Sequence, residues 1–502
     1  ISNCKKAVLK TLPDDMLTMA RSLFKEFDDN LRPLLELGLD YLTLSRNGNT
    51  LSTGELQRIQ LARTLRTQTT GVLYILDEPS IGLHPDNIKG LLGVFHELVA
   101  QGNSLVVVDH NVDIIREADW IIEIGPGSGE EGGQVLNSGD PQTIAADPNS
   151  NIGPYLNGTA KLLARTRQPV PAKKSIDFTV ADYYNIKKIT GQLPVGRLSA
   201  ITGFSGAGKT SLILDSLVPA ITDQANGRPL PKQVKSLTTP LKNVVSVDAA
   251  PIGKTPRSTV ATYTSIMDNL RKLFAAQPLA KERHYTASYF SYNNKQGACP
   301  SCGGTGVVTL DIQFLPDMQQ TCPSCEGARY RQEIQEVKWH GYSIVDLLKL
   351  DVRTALKVFT SEPKIEHELQ LLDEVGLAYL HLGESTPSLS GGEAQRLKLV
   401  KHLNRRQSTT LFVFDEPTIG LHPLDVKTLF GVMQQLLDRG ATILTITHDL
   451  NLIVNADYLM DLGPRGGKNG GRVVATGTPQ ELVKKPTSLT TRYLADYVHR
   501  FE

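Results

Sequence analysis

Four groups of residues in this 502-residue chain have types and spacings that could do chemistry. The first is Gly203-Phe-Ser-Gly-Ala-Gly-Lys209-Thr210, which reads G-x-x-x-x-G-K-[ST]. Glycines at that spacing let backbone N–H groups close around phosphate oxygens, and a helix starting there adds its positive dipole end. Gly203, Ser205, Gly206, Gly208, Lys209, Thr210 and Ser211 are therefore candidate phosphate contacts. In this pattern the lysine neutralises the β/γ-phosphates and the threonine hydroxyl sits on Mg²⁺. The second group is two acidic pairs, Asp77-Glu78 and Asp415-Glu416, each closing an apolar run. Asp415 fits a Mg²⁺ ligand and Glu416 the base that polarises an attacking water. Asp77 and Glu78 hold the same places in the other run. The third is His110 and His448, each at the end of a further apolar run. A lone histidine is usually structural, but the repetition favours a γ-phosphate sensor. The fourth is Cys299-Pro-Ser-Cys302 with Cys322-Pro-Ser-Cys325. Four thiolates in two C-x-x-C pairs suit tetrahedral Zn²⁺ in a structural site, because four protein ligands leave no open position. Cys4 lies outside this pattern.

These residues need strands and helices to hold them. The run 198–202 before the glycine loop reads as a strand core, and 211–217 after it as an amphipathic helix. The runs before the acidic pairs are apolar throughout, which predicts parallel strands covered on both faces. The acids then stand at the carboxyl ends, where α/β folds bind ligands. Lys+Arg number 53 and Asp+Glu 52, so net charge announces no nucleic-acid partner, although a local patch could still serve one. No apolar run approaches the roughly 18 residues of a transmembrane helix, and no secretory signal is visible. Four clustered cysteines and one apart are metal-site usage in a reducing, cytoplasmic compartment.

An internal repeat decides the architecture. Leu51-Ser-Thr-Gly-Glu-Leu-Gln-Arg58 matches Leu389-Ser-Gly-Gly-Glu-Ala-Gln-Arg396, and Asp77-Glu-Pro-Ser-Ile-Gly-Leu-His-Pro85 matches Asp415-Glu-Pro-Thr-Ile-Gly-Leu-His-Pro423. The differences 389 − 51, 415 − 77 and 448 − 110 all equal 338. Two copies of one domain follow. Residues 1–160 are the back part of the first copy, 161–175 a linker and 176–502 the second copy. The stretch 219–385 is too long for a simple connection and holds an inserted module with the cysteines at 299–325. Residues 1–50 read as helices packed in a bundle under the core that carries these motifs. Moved back by 338, the glycine loop falls before residue 1, so the chain is expected to be the back part of a longer protein.

The Leu389-Ser390-Gly391-Gly392-Glu393 loop, together with the glycine loop and the acidic pairs, resembles the signature loop of ABC-type ATPases. That resemblance implies that the signature loop of one copy closes on the phosphate loop of the other, with ATP between them. One site is then complete here: Gly203–Thr210, Asp415, Glu416 and His448 from copy two, with Ser52 and Gly54 from copy one. Ser390, Gly391 and Gly392 serve the other site. Thr53 stands where glycine is usual in the loop. The cysteine module, Asp248-Ala-Ala-Pro-Ile-Gly-Lys-Thr-Pro-Arg-Ser258, Phe314-Leu-Pro-Asp317 and the glycine-rich runs after Gly125 and Gly463 resemble the UvrA family, the damage-recognition ATPases of bacterial nucleotide excision repair. The resemblance covers nearly all of 34–490. It implies an α/β protein with two ABC-type ATPase domains, the first truncated, and an inserted zinc-containing α+β module. It implies ATP, Mg²⁺ and Zn²⁺ as cofactors, a homodimer, double-stranded DNA and a UvrB-type helicase as partners, and no membrane. Lys254, Arg257 and Ser258 then contact DNA phosphates, and Arg228, Lys232, Lys235 and Lys242 widen the basic face. The family usually has Gln where Ala249 stands. Two relatives of this role stay open, a protein protecting against DNA-binding drugs and an ATP-gated clamp with weak hydrolysis. A transporter ATPase subunit is a third reading, against which the four-cysteine insert argues.

Overall fold

The structure is a computed structural model and describes all residues except 1, 52, 66–69, 128–131, 161, 164, 171–173, 249, 251, 254, 311–317, 404–405, 422 and 502. Ser52, Ala249, Lys254 and Phe314–Asp317 thus lie outside the described residues. Copy one contributes four strands: β1 Leu73–Asp77, β2 Ser104–Val108, β3 Ile121–Gly125 and β4 Gln134–Gly139. Copy two opens with β5 Ser175–Val180, β6 Ile189–Pro194, β7 Leu198–Gly203, β8 Val234–Thr238 and β9 Asn243–Val247. The cysteine module adds the hairpin β10 Val307–Leu310 and β11 Met318–Thr321. Copy two closes with β12 Thr410–Asp415, β13 Thr442–Ile446, β14 Tyr458–Gly463 and β15 Arg472–Gly477. One six-stranded sheet runs β15-β14-β7-β13-β12-β9, parallel except for β15, and a smaller antiparallel sheet runs β6-β5-β8.

The repeat holds in three dimensions. Shifted by 338, β1, β2, β3 and β4 fall on β12, β13, β14 and β15. β1 pairs with β2 in parallel as β12 does with β13, and β3 pairs with β4 antiparallel as β14 does with β15. Only copy two meets the expectation of strands covered on both faces: β7 and β13 are buried at every residue. In β1, β2 and β3 every second side chain is open, with Ile75 70% and Ile124 67% exposed. The reason is topological. β7 separates β13 from β14, whereas among the described residues β1–β2 and β3–β4 form two separate two-stranded pairs with no strand between them.

Other expected boundaries shift too. The helices Ser2–Thr11 and Asp14–Glu36 form, but they are not a packed bundle. Met16, Met19 and Leu23 are more than half exposed, and burial begins at Pro33 and at Leu37, which joins the copy-one core with Ile88 and Leu91. The front of 219–385 is not an insert: β8 and β9 belong to the two sheets of copy two, because the apolar Asn-Val-Val-Ser-Val run pairs with β12. Nor does the insert keep a core to itself. Leu270, Phe274 and Phe290 join one cluster with Leu397, Phe412 and Phe430 of the ATPase layer. The linker is not wholly solvated, since Arg165 is buried in an ion pair with Asp457 at 3.0 Å. Among the described residues no helix is long and apolar enough to cross a membrane.

Candidate active site

The phosphate loop is built as its glycines require. β7 ends at Gly203 with φ 131°, where a Cβ would run into the Leu462 carbonyl. Gly208, at φ 99°, turns the chain into the helix Lys209–Leu212. Thr210 is exposed beside it, while Lys209 is buried. All three Lys209 hydrogens have acceptors: the carbonyls of Gly203 (2.9 Å) and Phe204 (3.0 Å) and Nε2 of His448 (2.8 Å). Since Nε2 of His448 accepts, its proton sits on Nδ1, which is buried with no partner among the described residues. Burial, and then the Lys209 charge, hold His448 far below the ordinary histidine range, so it is neutral. Glu416 Oε1 lies 3.6 Å from the same Nε2. Burial raises the Glu416 and Asp415 carboxyls above their usual range, against the pull of Lys209.

Each proposed base sits in a strained backbone. Glu416 has φ 46° and Glu78 has φ 45°, left-handed values that cost an ordinary residue about 1–3 kcal/mol. The strain is held in the same way in both copies: Glu416 N–H donates to the Ile446 carbonyl at 2.9 Å, and Glu78 N–H to the Val108 carbonyl at 2.7 Å. His110 stands 3.7 Å from Glu78, close to the 3.6 Å of His448 from Glu416. Asp77 is exposed at the end of β1.

The signature loops are braced from within. Ser390 opens the helix Gly391–Val400 with a capping box: Glu393 N–H donates to its hydroxyl, and its own N–H donates to Glu393 at 2.7 Å. That N–H is thus engaged by its own helix. Gly392 packs on Leu421, where an added Cβ would come within 3.0 Å, and an added Cβ on Gly54 would meet the Ile81 carbonyl of its own copy at 2.9 Å. Copy one does reach the phosphate loop of copy two, but the described contacts come from other residues. Ser205 Oγ donates to the Gly82 carbonyl at 2.9 Å, and a Cβ on Gly206 would meet the Tyr41 ring at 2.7 Å. In the other direction, Gly420 packs on the carboxylate of Glu78. A cavity of about 190 Å³ lies between the copies, and Glu78, His110, Glu416 and His448 all line it.

Several of these residues were not singled out from sequence. Tyr41 donates to Glu55 and Tyr379 to Glu393, both at 2.6 Å, and Gln57 and Gln395 donate to the carbonyls of Asp77 and Asp415, both at 3.1 Å. Each pair is 338 apart, so the repeat itself carried the signal.

The cysteines meet as expected. Their four sulfurs lie within 4.8 Å of one another, and Cys302 Sγ is 3.7 Å from Cys325 Sγ. Sulfurs about 2.3 Å from a tetrahedral zinc stand about 3.8 Å apart, so the donor set fits that ion. Of the three residues expected at DNA, Lys254 is outside the described residues. Arg257 is exposed and donates to the Gly303 carbonyl at 2.7 Å, while the Ser258 hydroxyl accepts from Thr386 at 2.7 Å.

A family model described as ABC transporter matches residues 186–419. UvrABC system protein A of Bacillus subtilis is 43% identical over 98% of this chain and 52% of its own length. That of Thermus thermophilus is 44% identical over 94% of this chain and 50% of its own length. A crystal structure of UvrA2 from Deinococcus radiodurans superposes with a TM-score of 0.89 at 41% identity, over 96% of this chain and 58% of that one. The chain spans about half the length of the curated relatives it matches. With an ABC-type ATPase domain built as described, and a four-cysteine cluster beside it, the chain is similar to the UvrA proteins over nearly all of its own length.

Proposed function

We propose that this chain acts in ATP-dependent recognition of DNA damage in nucleotide excision repair, binding distorted duplex and loading a UvrB-type helicase. The observation that supports it most is the cluster of Lys209, His448 and Glu416 at the ends of β7, β12 and β13, with copy one laid against the loop. Lys209 would turn from the Gly203 and Phe204 carbonyls to the β/γ-phosphates of ATP, and Thr210 and Asp415 would hold Mg²⁺. Release of Lys209 lets the neutral His448 ring carry its proton on Nε2 instead of Nδ1, so that Nε2–H can donate to the γ-phosphate. Glu416, raised by burial, polarises the attacking water as a base with a pKa nearer the working pH. Cys299, Cys302, Cys322 and Cys325 would hold Zn²⁺, which would cross-link the insert. Arg257, Ser258 and Lys254 engage phosphates, contacts that position a protein without reading bases. That suits a target defined by shape and deformability rather than sequence. The protein works as a homodimer on double-stranded DNA, in the cytoplasm.

Two measurements test this. Steady-state phosphate release should fall roughly 100-fold in Glu416→Gln. Equal rates would remove the hydrolysis. Binding to intact and lesion-bearing duplex across a salt series should weaken steeply with salt on both, and ATP should widen the gap between them. No binding to either duplex at low salt would remove the DNA role.

A further inference from the structure

We propose that His84, on the loop after Asp77-Glu78 of copy one, is a positioning residue for the ATP site of copy two, and that Thr490 and Asp461 hold it there. The proposal rests on the ATPase reading above. His84 is wholly buried. Its Nδ1 accepts the Asp86 N–H at 3.2 Å, which puts the ring proton on Nε2. Nε2 lies 3.0 Å from Thr490 Oγ1, and the Thr490 hydroxyl donates onward to Asp461 at 3.0 Å. Every donor meets one acceptor, so both the tautomer and the rotation of the ring are set. The ring stacks on Phe204 at 4.3 Å and meets His448 edge-on at 5.9 Å. The Phe204 carbonyl and His448 Nε2 are two of the three acceptors of Lys209. His84 therefore braces two groups that hold the phosphate-binding lysine while touching no reacting atom.

The repeat supplies an independent argument. By the 338 offset Glu123 corresponds to Asp461, Ser150 to Ser488 and Ile152 to Thr490. In copy one Glu123 accepts from the Ser150 hydroxyl at 2.6 Å and from the Asn151 and Ile152 N–H groups at 2.7 and 3.1 Å. The acid at the strand end is thus satisfied without any side chain at position 152. Copy two places a hydroxyl there, and that hydroxyl reaches the histidine of the other copy. Among the described residues this link is made at the complete site.

The test uses the full chain with His84→Ala, His84→Gln, Thr490→Val, Thr490→Ser, the double variant His84→Ala/Thr490→Val, and Glu416→Gln as control. Steady-state phosphate release is read against ATP concentration and divided by the number of nucleotide sites titrated at equilibrium. We expect His84→Ala and Thr490→Val each to lower kcat per site about tenfold with KM within twofold, as for a group acting in the transition state. His84→Gln and Thr490→Ser, which keep a donor and a hydroxyl, should restore most of it, and the double variant should be no worse than His84→Ala. Wild-type kcat per site in His84→Ala overturns the proposal, as does a double variant whose losses multiply. Loss of sites in proportion to rate, without rescue by Gln or Ser, reduces His84 to a folding role and overturns it too. If wild type is no faster than Glu416→Gln, the ATPase reading fails first and the proposal falls with it.

Discussion

At the scale of single residues, burial sets the protonation that the chemistry needs. His84 is pushed down to about 3, chiefly by burial and then by the charge of Lys209. The sign of the effect on stability follows. Above the ordinary value of about 6.5, folded and unfolded chains both keep this ring neutral, and its contribution is fully present. As pH falls from about 6.5 toward 3, the unfolded chain takes a proton that the folded one refuses, and stability is lost. Each such histidine adds a slope of about 1.4 kcal/mol per pH unit between those values. His448 is depressed in the same direction, so His84→Gln should flatten the fall without abolishing it. Denaturant midpoints of both proteins at pH 7, 6 and 5 measure this. Parallel slopes would mean that His84 is not held neutral. The catalytic candidates were legible in sequence because their signals are local: a glycine spacing, an acid pair closing an apolar run, two C-x-x-C pairs. His84 and Thr490 were not, because their meaning lies in a contact 406 positions apart along the chain.

At the scale of elements, the apolar strands were read correctly as strands, and their coverage was not. The pattern of β1 is as apolar as that of β12, yet coverage depends on which neighbours the topology supplies, and a strand cannot encode that alone. The linker shows the converse. Residues 161–175 read as a linker, and Arg165 within it is buried. Its guanidinium pairs with both oxygens of Asp457, at 3.0 and 3.3 Å, and with the carbonyl of Asn455 at 2.8 Å. Asp457 also accepts from the N–H groups of Leu198 and Gln168, so it pins the start of β7 to the linker. Removing one partner of a buried pair leaves an uncompensated charge and costs about 3–5 kcal/mol. Arg165→Ala should therefore lower the thermal midpoint well beyond the effect of Arg228→Ala, an exposed control. Similar midpoints for the two variants would show that the linker does not hold β7.

At the scale of the whole molecule, the cysteine cluster and the ATP site are joined by a traceable path. Gly303 N–H donates to the Cys299 carbonyl at 2.8 Å, and the Gly303 carbonyl accepts from Arg257. One residue on, Ser258 accepts the Thr386 N–H at 2.8 Å, and Thr386–Ser388 leads directly into Leu389-Ser390 of the signature loop. The same segment is tied at its other end, where Asp248 pairs with Lys398 of the signature helix at 2.5 Å. The phosphate loop is not on this path. It is held by β7 and by contacts from copy one. Loss of the metal should therefore disturb the insert and the signature loop while leaving nucleotide binding at Lys209 intact. Cys302→Ser, or chelation of wild type, should lose zinc by metal analysis and raise amide exchange at Gly303, Ser258 and Thr386. Equilibrium ATP affinity should stay within about twofold. Full zinc in Cys302→Ser would break the assignment of the cluster. A tenfold fall in ATP affinity would show instead that the shared core of Phe274, Phe290 and Phe412 carries the disturbance to β7, and that insert and phosphate loop stand or fall together.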